Sequence, residues 1–231
     1  MNFLYCTEQY YPLQTGTAMA DYGLTYALAQ AGHCVFVITS DTFNHAGVAM
    51  SIKRDGHRES ISSGGIHRES IEIAPNLYVI EFHIYHDTQK GWLGELEDYT
   101  HFAKNFACDI LINASIWTWN SDYLAPFLKT CQAKYKFLRN HIEYRPAPKK
   151  RGIKALCSQI LGRPNPPDKR ALATLEAKLK NYDRIFMLHE NSALYAHFAH
   201  AGLPVGILSN GVLKKDICPP KTFTPPPPHV S

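Results

Sequence analysis

The chain has 231 residues, of which 45% are hydrophobic and 19% are charged. This is the composition of a water-soluble globular protein, and the length suits one large domain or two small ones. No apolar run is long enough to span a bilayer, and the N-terminal residues lack the basic and apolar regions of a signal peptide. The six cysteines are scattered without a C-x-x-C pair, and no H-E-x-x-H motif is present. We therefore expect reduced thiols and no metal site.

The N-terminal segments alternate between strand-like and helix-like patterns. "NFLYCT" at residues 2–7 predicts a buried strand, and "YYPLQTGTAMADY" at 10–22 predicts a turn that leads into a helix over 17–31. In that helix, apolar residues recur at spacings of three and four, which predicts an inward stripe of Ala20, Leu24, Ala27, Leu28 and Ala31. Gly32 ends the helix, and "CVFVIT" at 34–39 is typical of a strand that is covered on both faces.

The rest of the chain continues this alternation after an irregular segment over residues 40–76. Within that segment "HRESI" occurs at 57–61 and again at 67–71, which we interpret as a hairpin around residues 62–65. The later predicted strands are "LYVIEFHI" at 77–84, "DILINAS" at 109–115, "KYKFLRNH" at 134–141, "RIFMLH" at 184–189 and "VGILSNGV" at 205–212. Helices are predicted over residues 92–107, 121–131, 168–181 and 191–201. The proline-rich end should be extended.

Alternating short apolar strands and helices predict an α/β protein with a doubly wound, mainly parallel sheet. Right-handed crossovers place the carboxyl ends of all parallel strands at one edge. Ligands bind such sheets at that edge, where the strand order reverses. The residues that directly follow each strand are therefore the candidate site residues.

Four segments in this order resemble a known family: "QYYPLQTGTAMADYGLTYALAQAGHCVFVIT", "DILINAS", "FLRNHIEYR" and "YDRIFMLHENSALYAHFAHAGLPVGILSNGV". Together they are similar to the N-terminal domain of retaining glycosyltransferases of family 4, which have the GT-B fold. The resemblance implies a Rossmann-like, acceptor-side domain over residues 1–213 and a linker over 214–231. It also implies a C-terminal nucleotide-sugar-binding domain that this chain lacks, so the fragment alone should be inactive.

The chain departs from the family pattern at two motifs. The family turn usually has two adjacent glycines, whereas this chain has Thr15-Gly16, and Leu213 replaces the final aspartate of the closing motif. The resemblance implies a nucleotide sugar as co-substrate, no metal or other cofactor, and a glycan or lipid-linked acceptor.

The start of the first helix and the end of one strand are the main candidates for contact with the sugar donor. Gly16 and Thr17 present amides at a helix start, where a phosphate can approach closely. The alternative is a turn glycine with positive φ followed by Thr17 as the N-cap. His141 follows a predicted strand, and the resemblance assigns it to the transferred sugar as the catalytic group. The alternative is a histidine bonded to the neighbouring backbone.

Other residues at the same edge are candidate substrate contacts. Trp117 and Trp119 have rings that can stack on a sugar, although indoles pack into cores as readily. Asn120 is a candidate helix cap. Glu190 and Asn210 follow the last strands, but a helix-start glutamate and a turn asparagine explain them equally well. Glu143 and Arg145 either position an acceptor or form a surface ion pair.

Charge is concentrated in residues 145–170, where eight basic residues face the single acid Asp168 and give a local charge of +7. Since the net charge is +4, the rest of the chain carries −3. The segment is either a solvated loop or a surface that attracts anionic lipid headgroups, and we expect no nucleic-acid partner because no binding motif accompanies the charge. A cytoplasmic enzyme at the inner membrane face would fit this pattern.

A competing hypothesis is a non-catalytic Rossmann-like module for nucleotide binding or protein interaction. Against a dinucleotide site, the first turn has one glycine instead of G-x-G-x-x-G. Asp41 also lies two residues too late after "VITS" for the usual ribose contact.

Overall fold

The computed structural model describes residues 1–45, 48–142 and 169–211, and its centre is a nine-stranded sheet. The strands are β1 (Asn2–Cys6), β2 (Cys34–Ser40), β3 (Thr42–His45), β4 (Val48–Ser51), β5 (His57–Ser63), β6 (Ile66–Ala74), β7 (Leu77–Phe82), β8 (Ile84–Asp87), β9 (Gly91–Gly94), β10 (Ile110–Ala114), β11 (Tyr135–Asn140), β12 (Arg184–Met187) and β13 (Val205–Ile207). The sheet order is β13-β12-β11-β10-β1-β2-β7-β6-β5.

The helices are α1 (Gly16–Gln30), α2 (Leu96–Asn105), α3 (Trp119–Leu124), α4 (Lys169–Leu179) and α5 (Ala193–His200), with a 3-10 helix at Ala125–Thr130. Within the described ranges, none of these helices combines the length and the apolar character needed to cross a bilayer. The four cysteines of the same ranges, Cys6, Cys34, Cys108 and Cys131, are free thiols.

Seven strands, from β13 to β7 in the sheet order, pair in parallel, and β6 and β5 extend the sheet in antiparallel pairing. The predicted α/β fold with a doubly wound, mainly parallel sheet is therefore confirmed. The chain winds from β1 through β2 to β7 on one side and from β10 through β13 on the other. The strand order therefore reverses between β1 and β10, where a ligand crevice is expected.

Alternating side chains of the central strands supply two cores, one on each face of the sheet. Phe3 and Tyr5 pack with the face that α1 covers, whereas Leu4 and Cys6 pack with the face that α2, α3, α4 and α5 cover. A period of two along β1 with both faces apolar is the pattern of a strand buried on both sides. A shift of β1 by one residue would exchange its two faces, so the alternation fixes the register of β1, whose carboxyl end borders the candidate site.

The segment after β2 contains more sheet structure than the sequence predicts. The two "HRESI" repeats pair antiparallel as β5 and β6, with Ser63 opposite Ile66, so the predicted hairpin is confirmed. The helix predicted over 92–107 is wrong at its start, because Trp92 lies in β9 and α2 begins at Leu96. Gly94 separates the two elements with φ +104, and a Cβ there would lie 2.0 Å from the carbonyl oxygen of His83. Only glycine fits this turn, so the hairpin of β8 and β9 is fixed at its base.

The inward face of α1 also differs from the predicted apolar stripe. The buried residues are Ala18, Asp21, Thr25 and Ala29, whereas Ala27 and Ala31 are exposed. Two of the four buried residues are polar, while Leu24 and Leu28 of the predicted stripe are partly buried against the core on this face, so hydrophobic periodicity found the inward side only in part. The polar face is stabilised by hydrogen bonds: Thr25 Oγ1 lies 2.5 Å from the Tyr10 hydroxyl, and Asp21 accepts several bonds that are described below.

Asn120 joins the ends of the two strands that flank the switch point. The side-chain Nδ2 of Asn120 donates to the backbone carbonyl oxygens of Cys6 and Ala114, both at 2.9 Å. The backbone carbonyl oxygen of Asn120 accepts from the Tyr99 hydroxyl at 2.6 Å. The Asn120 side chain thus links the carboxyl ends of β1 and β10, and we call this link the clamp. The predicted capping role is not observed, because Thr118 occupies the N-cap position of α3.

Replacing Asn120 by alanine removes the Nδ2 donor from two buried carbonyls, of which Ala114 keeps only the longer bond from Thr118 Oγ1 at 3.3 Å, so we expect the free energy of unfolding to fall by about 2–3 kcal/mol. Asn105→Ala is the matched control, because Asn105 Nδ2 donates to His101 within α2 at an exposed site. We expect that control to change stability by less than about 0.5 kcal/mol. Urea denaturation of both variants measures the difference, and equal losses would contradict the clamp.

Candidate active site

A cleft of about 440 Å³ lies at the carboxyl edge of the sheet, beside the switch point. Its walls come from residues 7–9 after β1, from Thr17 in α1, from the β8–β9 hairpin and from the loop after β10. Pockets of this size at this edge are typical ligand sites of open α/β sheets. Two predicted substrate contacts, Thr17 and Trp117, line the cleft together.

The start of α1 is shaped so that a ligand can approach its amides. Thr15, and not Thr17, is the N-cap, and its Oγ1 accepts from the Ala18 amide at 3.2 Å. Gly16 is the first helical residue and does not adopt positive φ, which excludes the turn-glycine alternative. A Cβ at Gly16 would meet no heavy atom within 4 Å. The amides of Gly16 and Thr17 belong to the first helical turn and have no intrahelical acceptor. Thr17 lines the cleft, whereas Gly16 is not among its lining residues.

A buried carboxylate connects α1 to the strands behind the cleft. The Asp21 side chain is 0% exposed, and its Oδ1 accepts from the Tyr5 hydroxyl at 2.6 Å and from Arg139 Nη1 at 2.7 Å. The Thr7 hydroxyl donates to the other oxygen, Oδ2, at 2.7 Å. A buried charge requires this degree of pairing, because desolvation otherwise costs several kcal/mol.

His141 belongs to the same cluster. Its Nε2 lies 2.7 Å from Asp21 Oδ1 and 2.8 Å from Arg139 Nη1. Because a carboxylate only accepts, we assign the ring proton to Nε2, which donates to Asp21; the contact with Arg139 Nη1, itself a donor, is then not a hydrogen bond. Nδ1 is then the second ring nitrogen, oriented by a carboxylate in the manner of many functional histidines. The imidazole is 5% exposed and sits behind the cleft wall, while the next residue, Ile142, lines the cleft.

Two further features fix the cluster. Burial and the nearby charge of Asp21 hold the pKa of the Tyr5 hydroxyl well above its usual range, so Tyr5 remains a donor. Arg139 Nη2 donates to Asn210 Oδ1 at 2.6 Å. Asn210, a predicted substrate contact, is thus exposed at the end of the described chain but tied to the buried cluster.

The loop after β10 has an unusual backbone. Ser115 and Trp117 both have positive φ, +67 and +57, which is rare for residues with side chains. Strain of this kind concentrates at functional sites. Trp117 is 39% exposed in the cleft wall, whereas Trp119 is fully buried against Tyr99 at a ring distance of 4.7 Å. Of the two predicted indoles, Trp117 is therefore the one in a position to meet a ligand.

Glu8 is a cleft residue that sequence reasoning missed. Burial raises the pKa of its carboxyl group to about 7, with no charged neighbour contributing. A carboxyl group that titrates near neutral pH in a cleft is a candidate functional group. Its position directly after β1 was the available signal, because the residues after each strand were the predicted site.

Among the described residues, the predicted contact Glu190 does not line the cleft. Glu190 is exposed and lies in the turn before α5, three residues ahead of its first residue, so it is not in the first helical turn as predicted. Glu143 and Arg145 lie outside the described residues, as do most of the basic segment 145–170 and the predicted linker 214–231.

Asp21→Asn should lower the free energy of unfolding by about 3–5 kcal/mol, because Arg139 would lose its buried partner. The control is Asp122→Asn, which removes the exposed ion pair of Asp122 Oδ1 and Lys178 Nζ at 2.7 Å. We expect a loss below about 1 kcal/mol there. Chemical denaturation at neutral pH separates the two, and a small effect at Asp21 would rule out the buried cluster.

The free energy of unfolding of a Glu8→Gln variant should depend on pH differently from that of the parent chain. The folded pKa of about 7 exceeds the ordinary 4.5, so charging Glu8 costs stability progressively between these values. Glutamine removes that cost, and we expect a gain of about 1–2 kcal/mol at pH 8.5 that vanishes below pH 4.5. The control Glu69→Gln, at an exposed pair with Arg58, should show no such pH-dependent gain. A gain independent of pH would contradict the raised pKa.

Comparisons with solved structures support the α/β fold described above. No family model and no curated sequence matches the chain. The catalytic domain of starch synthase IV from Arabidopsis thaliana, bound to ADP and acarbose, aligns with a TM-score of 0.52 at 12% identity, over 92% of this chain and 52% of that one. Trehalose-6-phosphate synthase from E. coli, bound with UDP-2-fluoro glucose, gives 0.44 at 13% over 94% and 50%. An alpha-glucosyltransferase in complex with UDP gives 0.41 at 12% over 84% and 37%. The chain thus spans about half of the starch synthase structure and shares the Rossmann-like fold found in GT-B glycosyltransferases.

Proposed function

We propose that this chain is the acceptor-side domain of a retaining, family 4-like GT-B glycosyltransferase. It would transfer a sugar from a nucleotide-sugar donor to a glycan or lipid-linked acceptor. The observation that supports this function is the Asp21 cluster. It joins the second turn of α1 to His141, whose Nε2 lies 2.7 Å from Asp21 Oδ1, and the neighbouring residues Thr17 and Ile142 line the cleft at the switch point.

The start of α1 would bind the negative charge of the donor. Two backbone amides without intrahelical acceptors, at Gly16 and Thr17, point along the positive end of a 15-residue helix. Charge develops on the diphosphate as the sugar–oxygen bond breaks, so these donors would stabilise the leaving group. The absent side chain at Gly16 leaves room for the phosphate oxygens.

His141 would contact the transferred sugar through the ring that Asp21 orients. With Nε2–H donating to Asp21, the free Nδ1 is an acceptor for a sugar hydroxyl. Retention with departure of a diphosphate requires no metal when helix amides and basic groups carry the charge. We expect a second domain to supply most of the nucleotide contacts, so that the 231-residue chain alone binds nucleotide sugars weakly.

The location of the enzyme is part of the proposal. The basic segment 145–170 would attract anionic headgroups, which suits a cytoplasmic enzyme at the inner membrane face. A liposome pull-down at two salt concentrations would detect such binding, since the attraction is screened by salt.

His141→Ala should lower kcat for nucleotide release by about 10²–10⁴-fold, because it removes a positioned group at the reacting centre. The assay uses the protein expressed from the whole reading frame that contains this chain, with UDP-, ADP- and GDP-sugars and a mixed acceptor pool. His200→Ala is the control, since His200 Nδ1 bonds the Ala196 carbonyl at an exposed site in α5. We expect that control to retain parent activity.

Three results would contradict the proposal. An active His141→Ala protein would remove the assigned role of the imidazole. Absence of turnover with every nucleotide sugar would favour the competing binding or interaction module. A Kd below about 10 µM for a nucleotide sugar with the 231-residue chain alone would show that the donor site is complete within it.

A further inference from the structure

A second cavity of about 400 Å³ adjoins the cleft and shares Trp92 with it. The cleft holds Glu8 and Trp117, and the second cavity, here called the outer cavity, holds Glu97 and Tyr123. Trp92 lies between them, partly buried in β9, with its ring 4.8 Å from the His86 ring across the hairpin. Trp92 is the lining residue that the two cavities share, and the surface from Trp117 past Trp92 to Tyr123, here called the track, carries three aromatic side chains.

The charge along this track has one sign among the described residues that line it. Glu8 stands in the cleft, and Glu95, Glu97 and Asp98 stand in the outer cavity, while no lysine or arginine lines either one. Arg68 Nη2 donates to Glu95 Oε1 and Asp98 Oδ2, both at 3.0 Å, and holds these two carboxylates in place from outside the cavity. Fixed carboxylates accept hydrogen bonds from hydroxyl groups and repel anions.

A hydroxyl group in the cleft wall also lacks a partner. Ser115 is 4% exposed, lines the cleft, and its Oγ has no hydrogen bond among the described residues. A buried hydroxyl without a partner is costly unless a ligand or water completes it. This observation is independent of the carboxylates, and it points to a polar ligand in the cleft, where Glu8 also lies.

We propose that the track binds an extended, uncharged oligosaccharide acceptor, and that Trp92 selects for its length. The proposal rests on the proposed glycosyltransferase function. A pyranose ring has one face of C–H groups that packs on an indole and an edge of hydroxyls that donates to carboxylates. The reacting end lies in the cleft beside Glu8, and the following sugar units cross Trp92 into the outer cavity. Acceptors with phosphate or carboxylate groups in the outer cavity are disfavoured, because its three carboxylates, Glu95, Glu97 and Asp98, outnumber the single arginine, Arg68, that pairs with two of them.

The test measures binding of trisaccharides to the 231-residue chain by isothermal calorimetry. The probes are maltotriose and cellotriose as neutral ligands, glucose as the short ligand, and trigalacturonate as an anionic ligand of equal length. We expect a neutral trisaccharide to bind at least about fivefold more tightly than glucose, and trigalacturonate to bind more weakly than either neutral trisaccharide.

Trp92→Ala should weaken trisaccharide binding about fivefold to tenfold with little effect on glucose, because the stacking surface between the two cavities is lost. Trp92→Phe, which keeps an aromatic face, should restore most of that loss. The matched control is Tyr135→Ala, an exposed aromatic at the start of β11 and so at the opposite edge of the sheet. We expect it to leave binding unchanged, and near-ultraviolet circular dichroism verifies that each variant is folded.

Three outcomes would contradict the proposal that the track binds a neutral oligosaccharide. These are trigalacturonate binding as tightly as the neutral probes, unchanged trisaccharide binding in Trp92→Ala, or no trisaccharide binding at about 10 mM. Preference for the anionic probe would favour a phosphorylated or lipid-diphosphate acceptor. None of these results affects the donor assay, which measures nucleotide release from a mixed acceptor pool, so the two proposals fail separately.

Discussion

The buried carboxylate of Asp21 is the constraint on which the arrangement of the site depends. It sits on a helix that covers a hydrophobic face, where a charge is costly unless several donors satisfy it. Four donors do so: the hydroxyls of Tyr5 and Thr7, the Arg139 guanidinium and the His141 ring. Because the donors come from β1, β11 and the residues that follow them, and the carboxylate comes from α1, satisfying one charge fixes three elements relative to each other. The second turn of α1 and the imidazole are then held in contact as a consequence of folding.

The cleft and the outer cavity depend on both the main sheet and the separate β8–β9 hairpin. The parallel strands and α1 create the crevice at the switch point, which any doubly wound fold provides. The β8–β9 hairpin is an addition at the corner after β7, and its base admits only Gly94. That hairpin brings Trp92 to the edge and divides the hollow into two cavities. The sheet thus determines where the cleft lies, and the hairpin determines the shape of the surface beside it.

The sequence predicted the sheet well because buried parallel strands are short, apolar and unmistakable in runs such as "CVFVIT". It failed where polar residues face inward. The predicted stripe of α1 followed its alanines and leucines, but the inward face carries Asp21 and Thr25, whose burial depends on partners distant in sequence. Arg139 offered a signal that was not used: a charge within the apolar strand "YKFLRN" needs a buried counter-charge. The predicted start of α2 at residue 92 was wrong because β9 has only four residues and ends at Gly94, just before the helix begins at Leu96.

The choice of arginine at position 139 follows from the geometry of the cluster. Nη1 lies 2.7 Å from Asp21 Oδ1 and 3.2 Å from the Tyr5 hydroxyl, while Nη2 donates to Asn210 Oδ1 at 2.6 Å. A planar guanidinium presents donors in two fixed directions, whereas a lysine ammonium concentrates its charge at one point. With lysine, one of the two links would be lost. Asn210 follows β13 at the carboxyl edge of the sheet. Arg139 therefore neutralises the buried carboxylate of Asp21 and also positions the chain after β13. The path of that segment is therefore coupled to the charge that orients His141.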